Sequence, residues 1–171
     1  MSECSLTAGV ARVDITPPLG FRMQGIVRRT AGAVGVETPL SATALVLADA
    51  KTKIAIFDCD LLGFDLPLVA EIRATVAEAL ETEAHCIALG CTHTHNGPCT
   101  IRHVLGGPHD VGCPAAQREA QEAYIAHLVG ELRAVAVLAD SRRQPARAGA
   151  GRGEAAAAVN REELNDDGRI L

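Results

Sequence analysis

A chain of 171 residues, 48% hydrophobic and 22% charged, has the make-up of one well-buried globular domain. Its net charge of −5 argues against a duplex nucleic-acid binder, which carries a basic face, and no run approaches the roughly 18 apolar residues of a membrane span. With 2% aromatic residues and no tryptophan, the core has to be built from Ala, Val, Leu and Ile.

The stretch GVARVDIT (9–16) alternates apolar and polar residues and stops at Pro17-Pro18, which predicts a strand. Residues 19–40, rich in Gly and Arg, read as a long loop. SATALVLADA and KTKIAIFDCDLLG predict two strands joined by a polar turn around Ala50 to Thr52. In LPLVAEIRATVAEALE (66–81), Leu68, Val69, Ile72, Val76 and Leu80 fall at helical spacing, with Pro67 at the start. A short buried strand follows in HCIALGCTHTH (85–95). Residues 97–114 are punctuated by Gly-Pro, Gly-Gly-Pro and Cys-Pro and predict a loop. The longest helix is expected over 114–141, with Tyr124, Leu128, Leu132 and Val135 as its inward stripe. RRQPARAGAGRGEA reads as a loop able to hold an edge strand. AAVNREELNDDGRIL reads as a strand, a turn at Asn165 to Gly168, and the start of another strand. The mixture predicts an α/β fold, mixed β-sheet layers flanked by helices.

The N-terminus MSECSLTAGVARVDITPP lacks the basic and then apolar segments of an export signal, so a cytoplasmic location is expected. The six cysteines form no dense framework, which fits a reducing compartment; Cys59 and Cys86 sit in apolar runs as small hydrophobes.

The segment CTHTHNGP (91–98) carries the chemistry. On an extended chain, residues two apart point the same way, so His93 and His95 are expected on one face at the carboxyl end of a strand, where α/β sheets bind ligands. Two imidazoles so placed suit Zn²⁺, or one can be a ligand while the other moves protons. The plainer reading is two histidines that hydrogen-bond locally at a strand end. Thr92 and Thr94 are expected on the opposite side. Asp60 could orient a histidine, although a turn role at the end of its strand is the simpler expectation.

A competing pattern lies next door. Cys99, His103, His109 and Cys113 follow C-x3-H-x5-H-x3-C, which could enclose a structural zinc and make the chain a metal-stapled interaction module. A (β/α)₈ amidohydrolase is disfavoured, because that barrel needs more chain and carries its HxH at the first strand. Arg142, Arg143, Arg147 and Arg152 read as a solvated loop after a helix. His127, one turn before Glu131, reads as exposed, and His85 is assigned nothing.

The segments AGVARVDITPPLG, PLSATALVLAD, DLLG, CTHTHNGP and VNREELNDDGRIL occur in the order found in the neutral/alkaline, non-lysosomal ceramidase family. Residues 1–171 resemble the N-terminal part of that family's catalytic domain. The resemblance implies a Zn²⁺-dependent amidohydrolase that splits N-acylsphingosine, a small-molecule N-acyl lipid, into sphingosine and a fatty acid. It implies that His93 is a zinc ligand, that His95 contacts substrate or zinc-bound water, and that Arg161 helps hold the substrate. Asn96 stands where the family commonly has Ser, and Glu37-Thr38 where it usually has His-Asp. The family's second zinc-binding His, its Glu and Tyr ligands and its implicated Ser match nothing in these 171 residues. The resemblance therefore implies a partial site.

Overall fold

The computed structural model describes residues 6–26, 29, 31–103, 114–157 and 166–168. Its centre is a five-stranded sheet in the order β5-β4-β3-β1-β7, formed by β1 (Thr7–Asp14), β3 (Ser41–Ala48), β4 (Lys53–Cys59), β5 (Ile87–Cys91) and β7 (Gln144–Pro145). β4 and β5 run parallel and the other neighbours antiparallel. A second, two-stranded sheet joins β2 (Met23–Gln24) to β6 (Gly97–Pro98). The mixed α/β class expected from the sequence is present.

The β3–β4 hairpin closes on Asp49, whose Oδ1 accepts from the amides of Lys51 (2.8 Å) and Thr52 (2.7 Å). Such a carboxylate stands in for a backbone turn partner. A parallel β4–β5 pair then requires a crossover, supplied by helix α1 (Leu66–Leu80). Asp65 caps it by accepting from the amide of Leu68 at 2.9 Å. Leu68, Ile72, Val76 and Leu80 are buried as their spacing predicts, and Ala77 joins them while Val69 is half-buried.

Helix α2 (Ala115–Ser141) lies on the same side of the sheet as α1 and packs on β1 and β3. Most strand residues beneath α2 are small: Ala11, Ala42, Ala44 and Ala48 are buried beside Val46, while the bulkier Phe57 and Ile87 lie on β4 and β5. Gly9 carries this furthest, since a Cβ there would sit 2.0 Å from the carbonyl oxygen of Ala139. A sheet face of alanine and glycine lets the helix come close, and the helix supplies the bulk through Ile125, Leu128, Leu132 and Val135. Tyr124 closes one end, its hydroxyl donating to the Ile15 carbonyl at 2.6 Å and its ring lying edge-on to Phe21. Lys53 and Arg143 clamp the other end on Asp140, at 2.9 and 2.6 Å. Both helices cover one face of the sheet; on the other face Val10, Arg12, Ile56, Asp58, Ala88 and Gly90 are exposed.

No helix among the described residues is long and apolar enough to cross a membrane. The edge strand expected in 142–155 is β7, two residues long. Of the strand-turn-strand expected over 157–171, the described part is the turn at 166–168, with Gly168 at φ +72°; the rest lies outside the described residues.

Candidate active site

β5 ends at Cys91, and the chain then leaves the sheet. Thr92 makes a last ladder-like contact, donating its amide to the Cys59 carbonyl at 3.0 Å. His93 follows at φ +61°, in the left-handed region, and His95-Asn96 form a turn that returns the chain through β6. The expectation that His93 and His95 extend the strand and share a face by alternation is therefore corrected. A left-handed residue breaks the period of two on which that argument rests.

The imidazoles meet all the same. Their ring centroids are 5.0 Å apart and the planes cross at 71°. Two local features bring them together. His93 is fixed by its Nδ1, 2.9 Å from the carbonyl oxygen of Leu62. A carbonyl only accepts, so Nδ1 carries the proton and Nε2 keeps its lone pair in the neutral ring. His95 is seated against Gly25, at φ +104°, where a Cβ would lie 2.6 Å from the His95 Cα and Cβ. Only glycine supplies both that dihedral and that space.

Arg29 holds the turn from outside. Its Nη1 donates to the His95 carbonyl at 3.1 Å and its Nη2 to Asn96 Oδ1 at 2.8 Å. Beyond the turn, the buried Thr100 donates its hydroxyl to the Gly63 carbonyl at 2.6 Å. Arg102 donates its amide to Asp65 Oδ2 at 3.0 Å, and its guanidinium lies 3.5 Å from Asp65 and 3.3 Å from Glu122. Burial alone would raise the Asp65 carboxyl, but the amides of Arg102 and Leu68 and the Arg102 charge hold it below the usual value.

Asp60 does not reach the histidines. Its Oδ2 accepts from the Ser41 amide (3.0 Å) and hydroxyl (2.8 Å), the turn role being the one the structure assigns. The orienting acceptor for His93 is the Leu62 carbonyl, two residues further on. Below the turn, burial and then Asp58 push the Cys91 thiol up to about 11, and burial pushes Cys59 up to about 12, with Cys91, Asp58 and Asp60 adding to it. Both thiols stay protonated near neutral pH.

A cleft of about 720 Å³ opens beside the turn. Thr94 and Asn96 line it, as do Asp60, Val34, Val36 and Leu40, while neither imidazole does. The histidines thus lie outside its lining, on the turn that supplies Thr94 and Asn96 to it. Glu37 and Thr38 line the same cleft. Among the described residues, no group of three or more His, Cys, Asp or Glu is placed to hold a metal. A catalytic zinc takes about three protein ligands, so His93 and His95 fit it chemically but do not complete it. Arg161 lies outside the described residues, as do His109 and Cys113. Of the alternative zinc loop, Cys99 is buried with its thiol 3.8 Å from the Ile101 carbonyl, and His103 is exposed. His127 is exposed and 3.8 Å from Glu131, as its spacing predicts.

Gly25, Arg29 and the Leu62 carbonyl were not singled out by the sequence. Arg29 sits in a Gly- and Arg-rich stretch that reads as solvated loop, and a backbone carbonyl leaves no mark in a sequence.

The fold has solved counterparts. It is similar to the crystal structure of neutral ceramidase from Pseudomonas aeruginosa, with a TM-score of 0.64 and 19% identity over 84% of this chain and 23% of that one. It is also similar to a ceramidase complexed with C2, at TM-score 0.56 and 19% identity, over 84% of this chain and 22% of that one. No family model and no curated protein sequence matches the chain. The chain spans less than a quarter of these structural neighbours. At this identity the likeness is one of architecture: these residues adopt the mixed α/β fold of part of a neutral ceramidase.

Proposed function

We propose that the chain carries part of the active site of a zinc-dependent amidohydrolase of the ceramidase type, cleaving the amide bond of N-acylsphingosine or a related N-acyl lipid. One observation carries this reading: His93 is tied through Nδ1 to the Leu62 carbonyl and lies edge-on to His95, on a turn whose Thr94 and Asn96 line a 720 Å³ cleft. Metal-binding histidines are oriented by such a contact on their second nitrogen. His93 would hold the ion through Nε2, with further ligands supplied from outside the described residues. Bound zinc would polarise the amide carbonyl and make a water acidic enough to attack it.

The other parts follow from this chain's own groups. His95 takes or gives a proton at a ring nitrogen, as an imidazole does near neutral pH. Arg161 would steady a substrate oxygen. The cleft walls carry Val34 and Val36, 95% and 50% exposed, which suits the tail of an acyl lipid.

Zinc titration of the purified chain, combined with release of fatty acid from N-acylsphingosine, tests the reading. Affinity should fall about tenfold or more in His93→Ala. Slow, zinc-dependent release should disappear in His95→Ala. Zinc bound equally well by His93→Ala, or lost instead in Cys99→Ser, overturns the proposal, and so does release that survives both histidine changes.

A further inference from the structure

The face of the sheet turned away from the helices is apolar at one end and charged at the other. Register places Val10, Leu45, Ile56 and Ala88 in one row across four strands. Val10 is 53% exposed and Ile56 40%. Leu47 and Ile54 extend the row on one side. On the other side lies the row Arg12, Thr43, Asp58 and Gly90. Arg12 and Asp58 are exposed, and neither side chain makes a hydrogen bond or a close ion pair among the described residues, Arg12 acting on nearby Asp14 only through its charge. With β3 between them they stand two strand spacings apart, about 10 Å, too far to pair with each other.

This arrangement is complementary to itself. β3 is the middle strand, with β1 on one side and β4 on the other. A two-fold axis lying between two such faces and parallel to β3 sets β1 of one copy over β4 of the second. Arg12 of each copy then faces Asp58 of the other, Val10 faces Ile56, and Thr43 and Leu45 face their own counterparts. At the usual spacing of about 10 Å between stacked sheets, an arginine and an aspartate from facing strands can meet. Asp14, next on the Arg12 side, is held chiefly by Thr16, whose amide donates to its Oδ1 at 2.7 Å, the Arg12 charge being the least of the influences on it. Asp60 is likewise held by Ser41.

We infer that the open sheet face is the contact surface between two copies of this chain, joined as an isologous dimer with two Arg12–Asp58 pairs across a sandwich of Val, Leu and Ile. An isologous contact requires the self-complementarity these rows have. Four strands of about seven residues present roughly 450 Å² per copy, which places the pair near the lower bound of specific interfaces, about 1,000 Å² in all. The dimer is therefore a reversible one. It stands independently of whether the histidines bind zinc.

Sedimentation velocity from about 1 to about 100 µM reads it directly. The native chain should pass from monomer to dimer over that range. Arg12→Asp and Asp58→Arg should each raise the dissociation constant about tenfold or more by setting like charges face to face. The double variant Arg12→Asp/Asp58→Arg should restore it. That recovery also separates lost contact from misfolding, since the double variant carries both substitutions. A monomer at every concentration overturns the inference and assigns the face to another occupant. A dimer indifferent to the single changes, or a double variant no better than either, also overturns it.

Discussion

The helix-covered core and the histidine turn lie within one small molecule and are held by different kinds of force. Beneath the helices, stability comes from many aliphatic contacts, none of them directional. Ile72, Val76, Leu128, Leu132 and Phe57 are buried together, and the removal of one leaves the rest in place. The turn at His93–Asn96 has almost no such burial. Four directional features hold it: the positive φ at Gly25, the positive φ at His93, the Leu62 carbonyl and the two donors of Arg29. The core should therefore respond to mutation through stability and the turn through geometry. A site at the edge of a rigid sheet can be rearranged without the sheet noticing.

Three measurements would break or sharpen that contrast. The largest effect is expected in the core. Leu132→Ala empties a fully buried position and should cost about 3 kcal/mol, or roughly 10 °C in Tm, leaving the histidine ring pair intact below the transition. A change of less than about 1 kcal/mol would show that the core is not close-packed. Next comes Gly25→Ala. Its Cβ collides with His95, so the ring pair should separate, read as loss of the cross-ring proton contact in NMR, while backbone strain costs only about 1–3 kcal/mol. A large loss of Tm with the ring contact preserved would reverse the comparison.

The smallest effect is electrostatic. Burial would raise the Asp140 carboxyl, but hydrogen bonds from Lys53 and Arg143 and their charges hold it below its ordinary 3.8. Asp65 is lowered in the same sense. A depressed folded-state pKa contributes stability above the unfolded value, and that contribution is lost as pH falls below 3.8 through the folded one. Tm should thus be insensitive to these two groups near neutrality and fall with acid. Asp140→Asn should be less stable than the native chain at pH 7 and lose less on acidification. Parallel Tm curves for the two proteins would count against this assignment.

Helices and the central hairpin were the most legible parts of the sequence. The 3.6-residue spacing of Leu68, Ile72, Val76 and Leu80, and of Tyr124, Leu128, Leu132 and Val135, marks the buried faces correctly. Strand β5 runs over Ile87–Cys91 and stops short of the expected 95, because apolar composition does not say where a ladder ends. The left-handed turn at His93 has no side-chain signature, since histidine adopts that region only as an exception. β2 and β6 owe their existence to each other across more than 70 residues of chain, and two-residue strands have no periodicity to read. Which sheet face the helices cover was also hidden. In β3 the alanines and Val46 point one way and Leu45 and Leu47 the other, so the strand looks apolar on both sides. The motif CTHTHNGP is where the structure brings two imidazoles together; the residues that arrange it, Gly25 and Arg29, sit in a stretch whose composition reads as plain loop.

The position of β1 has a consequence for how the chain is made. It is flanked by β3 on one edge and by β7 on the other, and its helix-side residues are covered by α2. As the polypeptide leaves the ribosome, the first three long strands emerge well before residues 115–145 exist to close over them. The three strands can pair with one another at once, but their alanine-lined face must wait, wet and uncovered, until α2 has been made. Until α2 has been made, a nascent chain of this design carries that surface open to aggregation, so slower synthesis of residues 60–140 lengthens its exposure.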